Sequence, residues 1–368
     1  MSIAAIPNYL NNHDHTQASP ALRFGMLLPI WSQQDFKQEK DAEKSWEFIC
    51  KLNDNDLRLM NALSTRQAAC LHDAVVGDHT TTFEAISIAP FTTGLGNEHP
   101  LENGFAFLNP YGLPYLPGSG VKGVLRQAAL ELARGQWGDK QGWSEDAITI
   151  LFGSEDANSA RRGALIFHDV IPQVRGNKLM VEIMTPHQKH YYQDGEPPHD
   201  SGSPVPIKFL TIPPDTGFCF QVGCNRALLQ HEDINLASNA AWKTLLEAAF
   251  EHAFNWLGFG AKTAVGYGAM RRLSEQEVQQ ANAAAAADAM RCDWVDTTLQ
   301  QIAEQNNSKP DEALRGKALA EAWAKLEDAD IKQRALADIQ QRWQAQGWWD
   351  TPPGKAAKRA LSVYREQE

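Results

Sequence analysis

An α+β fold is what the sequence predicts for residues 83–273, and three observations carry it. FEAISIAPF (83–91) has apolar side chains on both pleat faces, as in a strand covered on both sides. VKGVLRQAALELARG (121–135) sets Val124, Leu125, Ala128, Ala129 and Leu132 on one helical stripe and stops at Gly135. The order of elements, strand, helix, strands, helix, strand, lacks the regular alternation of a doubly wound sheet.

Along the chain, residues 1–20 are polar, and ALRFGMLLPIW (21–31) reads as an edge strand. The spacing of Phe36, Trp46, Ile49, Leu52, Leu57, Met60 and Leu63 predicts helices broken near Asn53–Asn55. Residues 1–82 therefore form an N-terminal strand and helical segment. A turn-rich stretch (92–120) leads into the helix above. GALIFHDVIP (163–172) and GNKLMVEIMTP (176–186) read as strands separated by a short basic turn. Residues 187–206, HQKHYYQDGEPPHDSGSPVP, suit no regular structure, and a loop of that length in a compact domain is functional or disordered. IKFLTIP (207–213) and GFCFQVGC (217–224) read as a hairpin through Pro214–Asp215. AAWKTLLEAAFEHAFNWLG (240–258) is an amphipathic helix closed by Gly258, and GYGAMRRL (266–273) a last short strand. Beyond Leu273 the character changes. Ser274 and Glu277 have capping-box spacing, and Leu314, Leu319, Trp323, Leu326, Ile331 and Leu336 keep helical spacing. Residues 274–368 are read as a C-terminal helical extension, with Trp323, Trp343, Trp348 and Trp349 as helix-packing residues.

Composition narrows the function. The 368 residues carry a formal net charge of −11, which argues against binding nucleic acid with the whole surface. The charge is uneven, however. Lys262, Arg271 and Arg272 have no acidic neighbour between Gly258 and Arg272, and Lys122, Arg126 and Arg134 face Glu131 alone between Pro117 and Arg134. No apolar run approaches the roughly 20 residues of a membrane span, and no secretory leader is read at the N-terminus. The five cysteines are scattered without a C-x-x-C pair, as expected of free thiols in a reducing cytoplasm. Neither a metal nor a cofactor is expected.

GSGVKG (118–123) matches G-x-G-x-x-G literally, but Pro114 and Pro117 stand where a dinucleotide turn needs a buried strand. Downstream, Asp139 lies in a loop sequence. What remains is an anion site: Gly118, Ser119 and Gly120 leave backbone N–H groups uncovered at a helix start, with Lys122 and Arg126 on one flank. A tight turn whose glycines only permit close packing explains the same residues. A second loop, GFGAKTAVGYGAMRR (258–272), tips the balance. Its paired glycines let backbone approach a ligand, and Tyr267 offers a stacking surface. Two locally basic Gly-rich loops suit single-stranded RNA.

The sequence PGSGVKGVLR resembles the motif that opens the main helix of the RAMP superfamily, RNA-binding proteins of CRISPR systems, and GFGAKTAVGYG resembles its C-terminal glycine-rich loop. TTGLGNEHPLENGFAF, YGLPYLPGSGVKGVLR, LFG with GALIFHDVIP, and MTPHQKHYY with PVPIKFLTI resemble, in order over about 83–273, the family of sixth subunits of Cmr (type III-B) effectors. The resemblance implies a ferredoxin-like, RRM-like core with an antiparallel sheet, flanked by the N-terminal helical insertion and the C-terminal helical appendage. It further implies a non-catalytic, cytoplasmic subunit of an antiviral ribonucleoprotein that holds crRNA near its 3′ end and helps hold target RNA. A backbone RAMP, a small helical subunit and a capping RAMP are its implied partners. The implied RNA contacts are Gly118, Ser119, Lys122 and Arg126 in the first motif and Gly260, Lys262, Thr263, Gly266 and Tyr267 in the second. Gly120 departs from the family, which often has Ser there.

Histidines raise a second reading, because some RAMP relatives cleave CRISPR transcripts through the 2′-OH. Of His99, His168, His187, His190 and His199, the pair His187 and His190 just after a strand is the best candidate for a metal-independent endoribonuclease. Contact with RNA or with a neighbouring subunit is the simpler role for this cluster, with His187 among the RNA contacts and Tyr191 or Tyr192 as a stacking residue on a loop inserted against the duplex. His168–Asp169 reads as a satisfied core pair.

Overall fold

The computed structural model describes residues 2–7, 9–10, 13–38, 43–74, 79–154, 160–185, 195, 197, 206–281 and 293–365. The chain divides into two compact units, Met1–Leu273 and Ser274–Glu368.

In the first unit α1 (Glu43–Cys50) and α2 (Asp54–Ala74) precede β1 (Thr80–Ser87). Then come α3 (Gly118–Ala133), α4 (Glu145–Phe152), β2 (Leu165–Phe167), β3 (Met180–Met184), β4 (Ile207–Thr211), β5 (Gly217–Cys224), α5 (Ala241–His252) and β6 (Met270–Arg272). Strands β6, β1, β5 and β2 form one sheet in that order, with every neighbouring pair antiparallel. β3 and β4 form a separate antiparallel ribbon.

The period-two pattern of β1 explains its sheet. Phe83, Ala85 and Ser87 are buried, and the register sets Phe83 opposite Phe220 and Ala85 opposite Phe218 on the same face. α3 and α5 cover this face. Phe250 of α5 stacks on Phe83 at 4.1 Å between ring centroids, and Leu125, Ala128 and Ala129 of α3 are fully buried in the same core. α5 ends in a π-helical turn, Ala253–Leu257, that places Phe254 against Phe220 and Phe259 before Gly258, at φ 70°, turns the chain.

Three expectations are corrected. ALRFGMLLPIW is no edge strand: Pro20–Phe24 is a helical turn with proline in its first turn, and only Trp31–Ser32 pairs, with Ser2–Ile3. Proline at the helix start and the Gly25 N–H donating to the Ala21 carbonyl close the turn, and its Arg23 is buried and bonded to Asp56 at 3.0 Å. The hairpin through Pro214–Asp215 is absent, since β4 pairs with β3 and β5 with β1 and β2. Ser87 instead pins the corner, its N–H donating to the Thr216 carbonyl at 2.9 Å. His168–Asp169 lies beyond β2, and neither residue is buried.

In the second unit α6 (Asp293–Gln305), α7 (Lys317–Ala324), α8 (Ala329–Ala345) and α9 (Gly354–Arg365) enclose a separate core. Ser274 and Glu277 make the reciprocal bonds of a capping box, 2.9 and 3.3 Å. Trp323, Trp343 and Trp349 are buried, whereas Ile331 is 39% exposed, because α8 turns Ala335, Ile339 and Trp343 inward instead.

Candidate nucleic-acid interface

The first glycine motif opens α3, but its backbone is not bare. The Gly118 N–H donates to Oδ1 of Asp169 at 2.8 Å, and the Gly120 N–H to the Pro117 carbonyl at 2.9 Å. Asp169 thus takes the place an external anion would occupy at the first donor. Gly118 is buried, and a Cβ there would run into the Phe167 carbonyl oxygen, so this glycine serves close packing against the end of β2. Ser119 is exposed at the helix start.

The cations of the motif point to a different place. Lys122 and Arg126, one turn apart on the flank of α3, line a cavity of about 180 Å³ with Phe152, Gly153, Ser154, Arg161, Arg162, Gly163 and Leu165. The far wall is a two-residue ribbon in which Gly153 pairs with Arg162 and Ser154 with Arg161. Two glycines allow it to pack on the end of α4. Gly153 has φ 93° and its missing Cβ would lie 2.7 Å from the Arg161 carbonyl, while one on Gly163 would strike the Leu151 carbonyl. Arg161 Nη1 meets Glu232 Oε2 at 2.6 Å. Among the described residues that line the cavity there are four cations and no carboxylate. Sequence reading missed Arg161 and Arg162; the only signal was two adjacent arginines before a glycine.

The second motif packs over the β3–β4 ribbon. A Cβ on Gly260 (φ 90°) would meet the Thr92 carbonyl, and one on Gly268 (φ 68°) the Phe259 carbonyl. Lys262 Nζ stands 5.7 Å from the Phe209 ring centroid, and Thr263 begins a short 3-10 turn. Tyr267, read as a stacking surface, is already engaged. Its hydroxyl donates to Glu182 at 3.3 Å and its ring lies 5.5 Å from Phe209. Burial and the Glu182 carboxylate push its phenol pKa up. Gly266 (φ 95°) stands beside Val265, which is 72% exposed. The first motif packs against the end of β2 and the second leads into β6, and these two strands are opposite edges of the sheet.

The sheet face away from α3 and α5 is no stacking platform. Alternation and register place Thr82, Glu84, Ile86, Cys219, Gln221, Ile166 and Arg271 there, with no aromatic among them. Glu84 has its pKa raised by burial, and the Cys219 thiol is pushed up by burial and by Glu84.

His187, Tyr191 and Tyr192, with His190 and His199, lie outside the described residues. His99 is engaged at both ring nitrogens, by the Phe24 carbonyl at 2.8 Å and the Leu101 N–H at 3.1 Å. Burial lowers the pKa of His168, against the pull of Asp169. No group of three or more His, Cys, Asp or Glu suited to a metal occurs among the described residues, and no helix there is long and apolar enough to cross a membrane.

Residues 83–271 match the family model of the RAMP superfamily. The CRISPR system Cmr subunit Cmr6 of Pyrococcus furiosus is 26% identical over 241 residues, 52% of this chain and 67% of that protein. Among solved structures, a chain of the Type III-B Cmr-beta complex bound to cognate target RNA is 21% identical at a TM-score of 0.45, covering 63% of this chain and 70% of that one. Cmr6 from Pyrococcus furiosus is 27% identical at a TM-score of 0.31, covering 53% of this chain and 98% of that one.

Proposed function

Because the chain belongs to the RAMP superfamily, we propose that it is a non-catalytic RNA-binding and assembly subunit of a type III-B CRISPR effector. In this reading it holds crRNA near its 3′ end beside a backbone RAMP, a small helical subunit and a capping RAMP. The observation that carries the proposal is the 26% identity over 241 residues with a Cmr subunit. Once α4 and the separate β3–β4 ribbon are set aside, the strand order β6-β1-β5-β2 is that of the fourth, first, third and second strands of a strand-helix-strand-strand-helix-strand chain, which supports reading residues 83–273 as the ferredoxin-like RNA-binding core. Residues 1–82 and 274–368 are then the N-terminal insertion and the C-terminal extension. The charge distribution agrees. A chain of net charge −11 gathers Lys122, Arg126, Arg161 and Arg162 around one cavity, as local binding to a phosphate backbone requires.

The test is to purify the tagged chain from cells that carry a complete type III-B locus, then sequence the bound RNA and identify the bound proteins. Guide-length RNA with repeat-derived sequence, together with further Cmr subunits, is the expected result. Recovery of the chain with neither would overturn the proposal. Incubating the purified chain with a repeat RNA hairpin in a chelator addresses the alternative enzyme. Site-specific cleavage abolished by His187→Ala or His190→Ala would replace the non-catalytic reading with an endoribonuclease.

A further inference from the structure

We propose that the cavity between α3 and the Arg161–Arg162 ribbon is a clamp for a single phosphate of the RNA backbone, and that Glu232 holds Arg161 until phosphate displaces it. The inference rests on the RNA-binding reading and moves the anion site from the start of α3, where Asp169 already takes the Gly118 N–H, to the flank of the helix.

Four arguments converge. Lys122, Arg126, Arg161 and Arg162 line one cavity of about 180 Å³, so an anion there meets cationic donors from both the helix and the ribbon. That volume is below the roughly 300 Å³ at which pockets begin to hold drug-sized ligands, so a phosphodiester group fits where a base with its sugar does not. The one aromatic in the lining, Phe152, is 2% exposed and offers no stacking face, so recognition there is independent of base identity. Three arginines with fork-shaped donors and a lysine point charge match the shape and charge of phosphate oxygens.

Glu232 supplies the regulation. Its carboxylate meets Arg161 at 2.6 Å, with the two side chains 26% and 43% exposed, and it is not among the residues that line the cavity. An ion pair this exposed to water exchanges at little cost, so phosphate entering the cavity competes with Glu232 for the same guanidinium. Glu232 then sets a threshold that weak or stray anions do not pass, while a polyanionic chain does.

The experiment measures binding of an unstructured labelled oligouridylate, and separately of inorganic tripolyphosphate, to the full chain between about 50 and 200 mM KCl. Arg162→Ala is expected to weaken RNA binding roughly five- to tenfold and to lower the log–log salt slope by about 0.7. Arg161→Ala combined with Arg162→Ala weakens it further. Glu232→Gln is expected to tighten binding a few fold, opposite in sign to any effect of general damage. Unchanged circular dichroism of these variants is expected, since both arginines are exposed. If the double variant binds RNA with the wild-type affinity and slope while Lys262→Ala weakens binding, the clamp is wrong and the RNA reading stands. If tripolyphosphate binds and depends on Arg161 and Arg162 while RNA does not bind, the clamp stands as an anion site and the RNA reading fails. Binding of neither probe overturns both.

Discussion

At the scale of single residues, His99 shows how a sequence candidate for acid–base chemistry turns out to be a brace. Its ring stacks on Phe24 at 3.9 Å, accepts the Leu101 N–H at Nδ1, and therefore carries its proton on Nε2, which donates to the Phe24 carbonyl. Burial lowers its pKa below the ordinary 6.5, more than the Phe24 bond raises it. The unfolded chain then binds the proton more tightly than the folded one. Stability from this group is full above about pH 6.5 and falls as the pH drops toward the lowered folded value. Thermal melts at about pH 7.5 and about pH 5.5 should show a smaller acid-induced drop for His99→Gln than for the wild type. Equal drops would remove His99 as the cause. Arg23 is a second brace. It donates to the carbonyls of Ala18, Phe48 and Lys51 and to Asp56, with the two side chains of that ion pair 1% and 3% exposed. Arg23→Met leaves Asp56 buried without its cation, and urea unfolding should show a loss of about 3–5 kcal/mol.

At the scale of elements, the glycines of the two motifs separate by geometry, although they look alike in sequence. Gly268 sits at φ 68° with the Phe259 carbonyl where a Cβ would be, while its own N–H donates to Pro90 and its carbonyl accepts from Phe259. Gly268→Ala should cost about 2 kcal/mol or more, from strain and overpacking together. Gly266 at φ 95° faces open space, so Gly266→Ala should cost only about 1 kcal/mol, the backbone strain alone. Gly123 lies inside α3 with nothing within 4 Å and an ordinary helical φ, so Gly123→Ala should stabilise by about 0.5–1 kcal/mol. Urea titrations that fail to rank the three in this order would refute the assignment of roles. The same contrast explains what the sequence could and could not tell. Helical period alone located α3 and its buried residues Leu125, Ala128, Ala129 and Leu132, because a helix is set by neighbours three and four positions away. The Gly118 cap was invisible, since its partner Asp169 is 51 residues distant. So were Arg161 and Arg162 as cavity residues, because only the fold brings their ribbon beside α3. The supposed hairpin failed for a related reason: two strands next to each other in sequence were taken by different sheets, and the bond that pins the corner at Thr216 comes from Ser87, 129 residues away in sequence.

At the scale of the whole molecule, the described chain has its largest buried clusters in separate units. The buried residues of the main cluster of the first run from Phe24 to Met270, and those of the second from Val295 to Tyr364. All the described residues lining the cavity of Lys122, Arg126, Arg161 and Arg162 belong to the first unit, as does Glu232. Trp343 anchors the second. It is fully buried, lies edge-on to Trp348, Trp349 and Tyr364, and donates from its indole to the Leu314 carbonyl at 3.2 Å. Trp343→Ala therefore removes the central ring of that core, a loss of about 3–5 kcal/mol for a buried Trp truncation. If each unit unfolds as its own cooperative body, calorimetry of the full-length variant should show one transition lowered and the other in place. Its affinity for single-stranded RNA, and the salt dependence of that affinity, should stay at the wild-type value. A parallel fall in RNA affinity would show instead that the helical extension supports the RNA binding proposed for the first unit.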